Sequence, residues 1–340
     1  MTAIPDAVRH LRELALSAAR AASVRAAAKL GIADALGDEP STVEELAAAT
    51  GTDPGALGRL LRTLAWHGVF AEDEAGRYRH TEMSKLLAED APRSLKHIVL
   101  WGTEPWSWEL WPHLDEAVRS GTSVFPLLHG KDFFEYLHAE APESAEVFDR
   151  AMTQSSRLSA TAIADRIELD GSETVADIAG GQGHVLATLL ERHPDLSGAL
   201  LELPGVLANA DPRLRPGGPL AGRVRLVPGD CRDEVPVPAD VYVLKNVLEW
   251  DDDSTVTTLR NVAGAARPGA RVLVLENLLD DSPELGFTTA MDLLLLLNVG
   301  GRKHTEDGLL ALVAAAGLRL VDVRPLNSYL HVIEAVVDHA

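Results

Sequence analysis

At 340 residues the chain exceeds the usual size of a single hydrophobic core, so two domains, or one domain with a helical extension, are expected. A formal net charge of −20 argues against nucleic acid as a partner, because phosphate contacts need clustered Lys and Arg, and it favours a small uncharged or cationic ligand. The single cysteine, Cys231, excludes an internal disulfide and a Cys-based zinc cluster. With no basic and apolar leader and no 18-residue uncharged apolar run, this points to a cytoplasmic chain without a membrane partner or metal.

Residues 1–100 read as a winged-helix dimerisation domain. The Ala-rich segment from Leu14 to Leu36 has the composition of long helices whose small faces let two backbones approach closely, as in an intertwined dimer. Ser41-Thr42-Val43-Glu44 reads as a capping box that starts a helix. Asp53-Pro54 starts another, with Leu57, Leu60, Leu61 and Leu64 at helical spacing before Gly68 ends it. The stretch Val69–Arg79 reads as a hairpin with an acidic turn. Helix, helix and hairpin make a winged helix, but Glu72, Asp73 and Glu74 on the wing repel phosphate, so packing and dimerisation are the expected roles.

Residues 101–165 read as a helical linker that lines a substrate pocket. Trp101, Trp106, Trp108 and Trp111 fall close together, followed by Phe125, Phe133, Phe134 and Tyr136. Such rings can sandwich a flat ligand or simply fill core volume. A helix carrying Phe148, Met152, Ser155 and Ser156 leads into the third segment, residues 166–340.

There, short β-rich apolar runs alternate with helical ones, the pattern of an α/β doubly wound sheet. Seven strands are predicted: 174–178, 199–201, 224–227, 241–244, 272–275, 318–323 and 330–337. The apolar run Leu293–Val299 is short enough to be a buried helix. The first strand enters Asp177-Ile178-Ala179-Gly180-Gly181-Gln182-Gly183, a turn in which missing side chains let a ligand lie against backbone, and a helix follows from His184 to Arg192. That loop alone fits NAD, FAD and S-adenosylmethionine enzymes alike. Glu202, at the end of the second strand, is placed to accept ribose hydroxyls, Asp230 to edge an adenine, and Asp177 to reach an ammonium. Gly181, Glu202, Asp230 and Lys245 thus line up at the carboxyl ends of the strands.

The ordered series DIAGGQG, LELPGVL, RVRLVPGDCRDEVP, ADVYVLKNVLEWDDD, LRNVAGAARPGARVLVLEN and AMDLLLLLNVGGRKHT resembles the plant caffeate-type and bacterial antibiotic-tailoring O-methyltransferases over nearly the whole chain. The resemblance implies a Rossmann-like class I methyltransferase sheet with the last strand antiparallel, S-adenosylmethionine as cofactor, a small aromatic substrate and a homodimer. It assigns Gly180 and Gly181 to the cofactor's amino acid, Glu202 to ribose, Asp230 and Cys231 to the adenine side, and Lys245 to the neighbourhood of the sulfonium. Trp106, Phe148, Met152, Met291 and Asn298 are the expected substrate contacts.

The reaction centre departs from that family. Members with a clear mechanism read K-H-V-L-H-D-W after the fourth strand and use a His there as base; this chain reads Lys245-Asn246-Val247-Leu248-Glu249-Trp250, one residue shorter and without His. Of the two acids that orient the family His, one matches Glu276, while the second site holds Lys303 beside His304. Two readings follow. In the first, methyl transfer persists, with Glu249 or His304 as base or with alignment alone sufficing, and with Asn246 and Glu276 positioning the acceptor. In the second, the fold binds S-adenosylmethionine but catalyses a non-methylating tailoring reaction. A metabolite-sensing regulator is a third class, supported only by the winged helix. Glu249 also reads as a plain carboxylate at a helix start.

Overall fold

The computed structural model describes residues 5–280 and 282–338. They form two compact units, one ending at Pro105 and the other beginning at Trp106.

In the first unit the Ala-rich segment runs as three helices, Asp6–Ala15, Ser17–Lys29 and Ile32–Ala35, broken at Leu16 and at Gly31, whose φ of 64° ends the second. The Asp6–Ala15 helix buries nothing, and Ser17–Lys29 buries only Ala27 and Ala28. The capping box lies one residue later than the sequence suggested: Thr42 Oγ1 accepts from the Glu45 amide at 3.2 Å, and Glu45 Oε2 accepts from the Thr42 amide at 2.8 Å. Ser41 cannot serve because its backbone pairs with Tyr78 in an extended bridge. Asp53 caps the Pro54–Trp66 helix, which buries Leu57, Leu61 and Leu64, with Leu60 only half-buried. The hairpin follows as β1 (Phe70–Glu72) and β2 (Tyr78–His80). Asp73 Oδ1 accepts from the Ala75 and Arg77 amides at 2.9 Å each, so one of the acidic residues builds the turn.

The second unit is built on a seven-stranded sheet: β3 (Thr174–Ile178), β4 (Ser197–Glu202), β5 (Val224–Pro228), β6 (Val241–Lys245), β7 (Arg271–Glu276), β8 (Leu318–Pro325) and β9 (His331–Val337), in spatial order β5-β4-β3-β6-β7-β9-β8. All pairings are parallel except those of β9, which is antiparallel to both neighbours. The central strands are apolar on both faces, as strands covered by helices on both sides must be. Ala176, Ile178, Tyr242 and Leu244 enter one core, and Val175, Val241 and Val243 the other. Strand order reverses at β3, which opens a crevice at the carboxyl ends of β3, β4 and β6. The Leu293–Val299 run belongs to a longer helix, Leu285–Val299, that buries Leu294, Leu295, Leu297 and Asn298. Among the described residues no helix is long and apolar enough to cross a membrane.

Candidate active site

The glycine turn is shaped by its neighbours. Ala179 and Gly181 adopt φ of 50° and 61°, and a Cβ on Gly180 would lie 2.3 to 2.5 Å from the Asp177 carboxylate. The loop therefore folds directly over Asp177. That carboxylate is 2% exposed, burial pushes it up to about 7 against the pull of Lys245, and its Oδ2 has no hydrogen-bond partner among the described residues. An orphaned acid beneath a backbone cradle calls for a donor from a ligand.

Glu202 closes the other side. Its Oε2 accepts from the Gly181 amide at 3.0 Å and its Oε1 from the Leu203 amide at 2.6 Å, while burial raises it to about 7. Each oxygen keeps a further lone pair for a hydroxyl. The loop after β5 is held differently. Asp230 is gripped by Arg232 through Nε at 3.1 Å and Nη2 at 2.7 Å, which lowers its pKa despite partial burial. Arg232 itself stacks 5.4 Å over the Trp250 ring, and Asn261 Nδ2 donates to the carbonyls of Cys231 and Arg232. Cys231 sits in the core with its thiol pushed up to about 12 by burial, so its side chain acts there as an apolar group.

At the end of β6, Lys245 falls on the same sheet face as Asp177, its pKa lowered by burial and opposed by Glu276, Glu249 and Asp177. Asn246 follows with φ of 51°, a conformation Asn tolerates, and its Oδ1 is buried without a partner among the described residues. Glu276 Oε1 accepts from the Val247 and Leu248 amides at 3.1 and 3.3 Å, and burial with Glu249 nearby raises its pKa. Glu249 is not at a helix start. Asp251 caps the Asp252–Ala265 helix, whereas Glu249 is ion-paired with Lys303, whose side chain is 4% exposed. Glu249 keeps Lys303 protonated well above the usual range. His304 Nε2 lies 2.6 Å from the Leu248 carbonyl, and burial lowers its pKa, so the ring is neutral and carries its proton on Nε2 toward that oxygen. The residues expected at the reaction centre thus converge, but Glu249, Glu276 and His304 are each already engaged within the protein.

The aromatic residues disperse. Trp106 is buried against Phe133 and Phe125, with ring centroids 4.8 and 6.3 Å apart, and so fills core volume, while the half-buried Phe148 packs on Phe133 at 5.9 Å at the edge of that cluster. Trp111 is exposed, and Trp101 belongs to the first unit. Met152 and Met291 are half-buried, and Asn298 is buried with its Oδ1 lacking a partner among the described residues. Sequence reasoning passed over Asp149, a 7% exposed acid on the Pro142–Arg166 helix, and the bond by which Thr153 Oγ1 of that helix meets Gln182 Oε1 of the glycine turn at 2.9 Å. Their spacing, one helical turn apart and one turn from Met152 or Ser156, was the available signal.

Two family descriptions match the chain: the O-methyltransferase domain over residues 111–319 and the O-methyltransferase dimerisation domain over residues 12–90. The chain belongs to the O-methyltransferase family. It is 38% identical to a mitomycin biosynthesis 6-O-methyltransferase of Streptomyces lavendulae, over 88% of this chain and 86% of that one. It is 35% identical to the aclacinomycin 10-hydroxylase RdmB of Streptomyces purpurascens, over 90% and 83%. Among solved structures, that of the mitomycin 7-O-methyltransferase MmcR superposes with a TM-score of 0.88 at 35% identity, covering 97% of this chain and 98% of that one.

As a member of the O-methyltransferase family the enzyme takes S-adenosylmethionine, and the crevice fits that cofactor. The orphaned Asp177 Oδ2 suits its ammonium, the backbone over Gly180 leaves room for nothing bulkier than glycine, and Glu202 has acceptor capacity to spare for a ribose. The buried acids carry a consequence for stability. Between their ordinary values of 3.8 and 4.5 and the raised values near 7, folded Asp177 and Glu202 hold protons that the unfolded chain has released. Unfolding then releases protons, so these groups cost stability as pH rises through that window. Thermal melts of cofactor-free O-methyltransferase should show a fall in Tm from pH 5 to pH 7.5 that flattens in Asp177→Asn and in Glu202→Gln; an unchanged slope in both variants refutes the assignment.

Proposed function

We propose that the enzyme methylates a hydroxyl of a small aromatic secondary metabolite, working as a homodimer. The observation that carries the acceptor assignment is a pair of buried amide oxygens without partners among the described residues, Asn246 Oδ1 beside Lys245 and Asn298 Oδ1 on the Leu285–Val299 helix, which can each receive a hydroxyl hydrogen. The antibiotic-pathway relatives support the aromatic substrate class. Phe148, Met152 and Met291 then line its apolar side, and Trp106 supports that wall from behind.

When bound, S-adenosylmethionine supplies a sulfonium methyl, already a strong electrophile. The protein's part is placement and charge. Asp177, the amides around Gly181, Glu202 and Asp230 hold the cofactor, with Cys231 shaping the adenine side and Lys245 near the sulfonium end. Asn246 and Glu276 fix the acceptor, Glu276 through its grip on the Val247 and Leu248 amides. Because Glu249 is paired with Lys303 it is not free to act as a strong base, and His304, whose Nε2 donates to the Leu248 carbonyl, has only Nδ1 left to accept a proton. Alignment and the acceptor's own acidity carry the reaction.

A series of phenols of graded acidity, assayed with wild type, Glu249→Gln and His304→Ala, tests this. Methyl transfer should favour acidic phenols, and neither substitution should slow turnover by more than about tenfold, or roughly 1.4 kcal/mol of barrier. A loss of a thousandfold in either variant would identify a dedicated base. Cofactor binding without methylation of any pathway extract would favour the non-methylating reading, which the missing family His and the likeness to a hydroxylase support.

The dimer reading rests on Val8, Leu11, Leu14 and Leu16, which are 47 to 70% exposed on helices that bury almost nothing within the chain. Deleting residues 1–35 should leave a monomer by light scattering. A truncated chain that remains a folded dimer removes this segment from the interface.

A further inference from the structure

Asp149 is a buried acid with no use in the mechanism above. It lies inside the Pro142–Arg166 helix, is 7% exposed, and makes no hydrogen bond or ion pair with any described residue. One turn further along the same face, Thr153 is bonded to Gln182 of the glycine turn, and the residue immediately before Gln182, Gly181, donates its amide to Glu202. Residues at i and i+4 stand side by side on a helix, so Asp149 overlies the Glu202 side of the cofactor crevice. The two carboxylates feel each other: Asp149 helps raise Glu202, and burial pushes Asp149 itself up to about 6.

A lone buried carboxylate is costly, and a protein core normally supplies it with donors or a cation. Here the two carboxylates that act on its charge, Glu146 and Glu202, both oppose its ionised form. Its oxygens, unlike Asp177 Oδ2, are not sealed off, so a molecule filling the crevice can reach them with donors. We propose that Asp149 is a cofactor-binding residue that accepts hydrogen bonds from the adenosyl half of S-adenosylmethionine, working beside Glu202. This rests on the crevice being the cofactor site. The amino-acid half already has its acid in Asp177, at the far end of the glycine turn, which leaves the ribose hydroxyls and the adenine amino group as donors for the Glu202 side.

The assignment separates two costs that a structural carboxylate would not separate. Without ligand, Asp149 strains the fold; with ligand, it holds the cofactor. Calorimetry should compare S-adenosylhomocysteine with 5′-methylthioadenosine, which keeps the adenosyl half and lacks the amino acid. Asp149→Asn should weaken both ligands by about tenfold, the scale for losing hydrogen bonds to a charged acceptor, and should raise the ligand-free Tm. Asp149→Ser serves as a second variant with the same expectation for affinity. Equal binding by wild type and both variants overturns the proposal, as does a loss confined to S-adenosylhomocysteine, which would place Asp149 on the amino-acid half. A lowered ligand-free Tm with unchanged affinity makes it a structural residue. Wild type that binds neither ligand sinks the cofactor site and this inference together.

Discussion

Replacing Gly180 by Ala is expected to reduce S-adenosylmethionine affinity by at least about a hundredfold, near 3 kcal/mol. The added Cβ would meet Asp177 Cγ, Oδ2 and Oδ1 at 2.3, 2.4 and 2.5 Å, far inside van der Waals contact, and Asp177 is buried in the sheet with nowhere to swing. The turn has to lift, and with it the amides that face the ligand and the Gly181 bond to Glu202. Gly181→Ala makes the informative contrast: its Cβ meets nothing within 4 Å, so only the φ of 61° opposes it, at a cost of about 1–2 kcal/mol. Calorimetry on both variants, with Asp177→Ala added to Gly180→Ala, separates the causes. The double variant should regain stability over Gly180→Ala, since the clash is gone, without regaining affinity. If Gly180→Ala binds like wild type, the loop does not pack on Asp177 as described.

Breaking the Lys303–Glu249 pair should have the largest effect on stability. Both side chains are largely buried, with exposures of 4% and 16%, and truncating one leaves the other as an uncompensated charge. Lys303→Met is expected to cost about 3–5 kcal/mol in denaturant unfolding, whereas Lys303→Met combined with Glu249→Leu should recover most of it, because a well-packed apolar pair can match a buried ion pair. The folded pKa of Lys303 is raised, so its own contribution is complete below its ordinary value of 10.5 and is lost only as pH climbs toward the raised one; because Lys303 also holds down Glu276, which burial raises to about 8, the cost of the substitution should grow as pH rises through that value. A double variant as unstable as Lys303→Met would show that the lysine acts through other partners. Glycine packs closely here too, since a Cβ on Gly301 would lie 1.8 Å from the Glu249 carbonyl oxygen. The Gly301-Arg302-Lys303 stretch and the Glu249 loop therefore form one clamp in the place where the family keeps an acid and a base.

The sequence by itself determined what depends on local spacing. Short apolar runs gave all seven strands of the sheet to within a few residues; for the central β3, β4, β6 and β7 the reason is that a strand covered on both faces has to be largely apolar, whereas the edge strands β5 and β8 are more exposed. The glycine turn, the His184–Arg192 helix and the acid ending the second sheet strand were equally readable, since backbone conformation and strand-end position follow from residue type and short-range order. The departure from the family base was visible as a missing His.

Tertiary structure alone decided which groups are free to act. Nothing local to Glu249 announces a lysine 54 residues away, nor to His304 that the carbonyl of Leu248 accepts a hydrogen bond from its ring. The N-cap moved from Ser41 to Thr42 because a bridge to Tyr78, on a strand 37 positions later, claimed the Ser41 backbone. Nothing in the sequence set Asp149 apart until the fold buried it within electrostatic reach of Glu202. In each case the deciding quantity is burial or the identity of a distant partner. These fix hydrogen-bond demand and charge state, and they exist only after the chain has closed on itself.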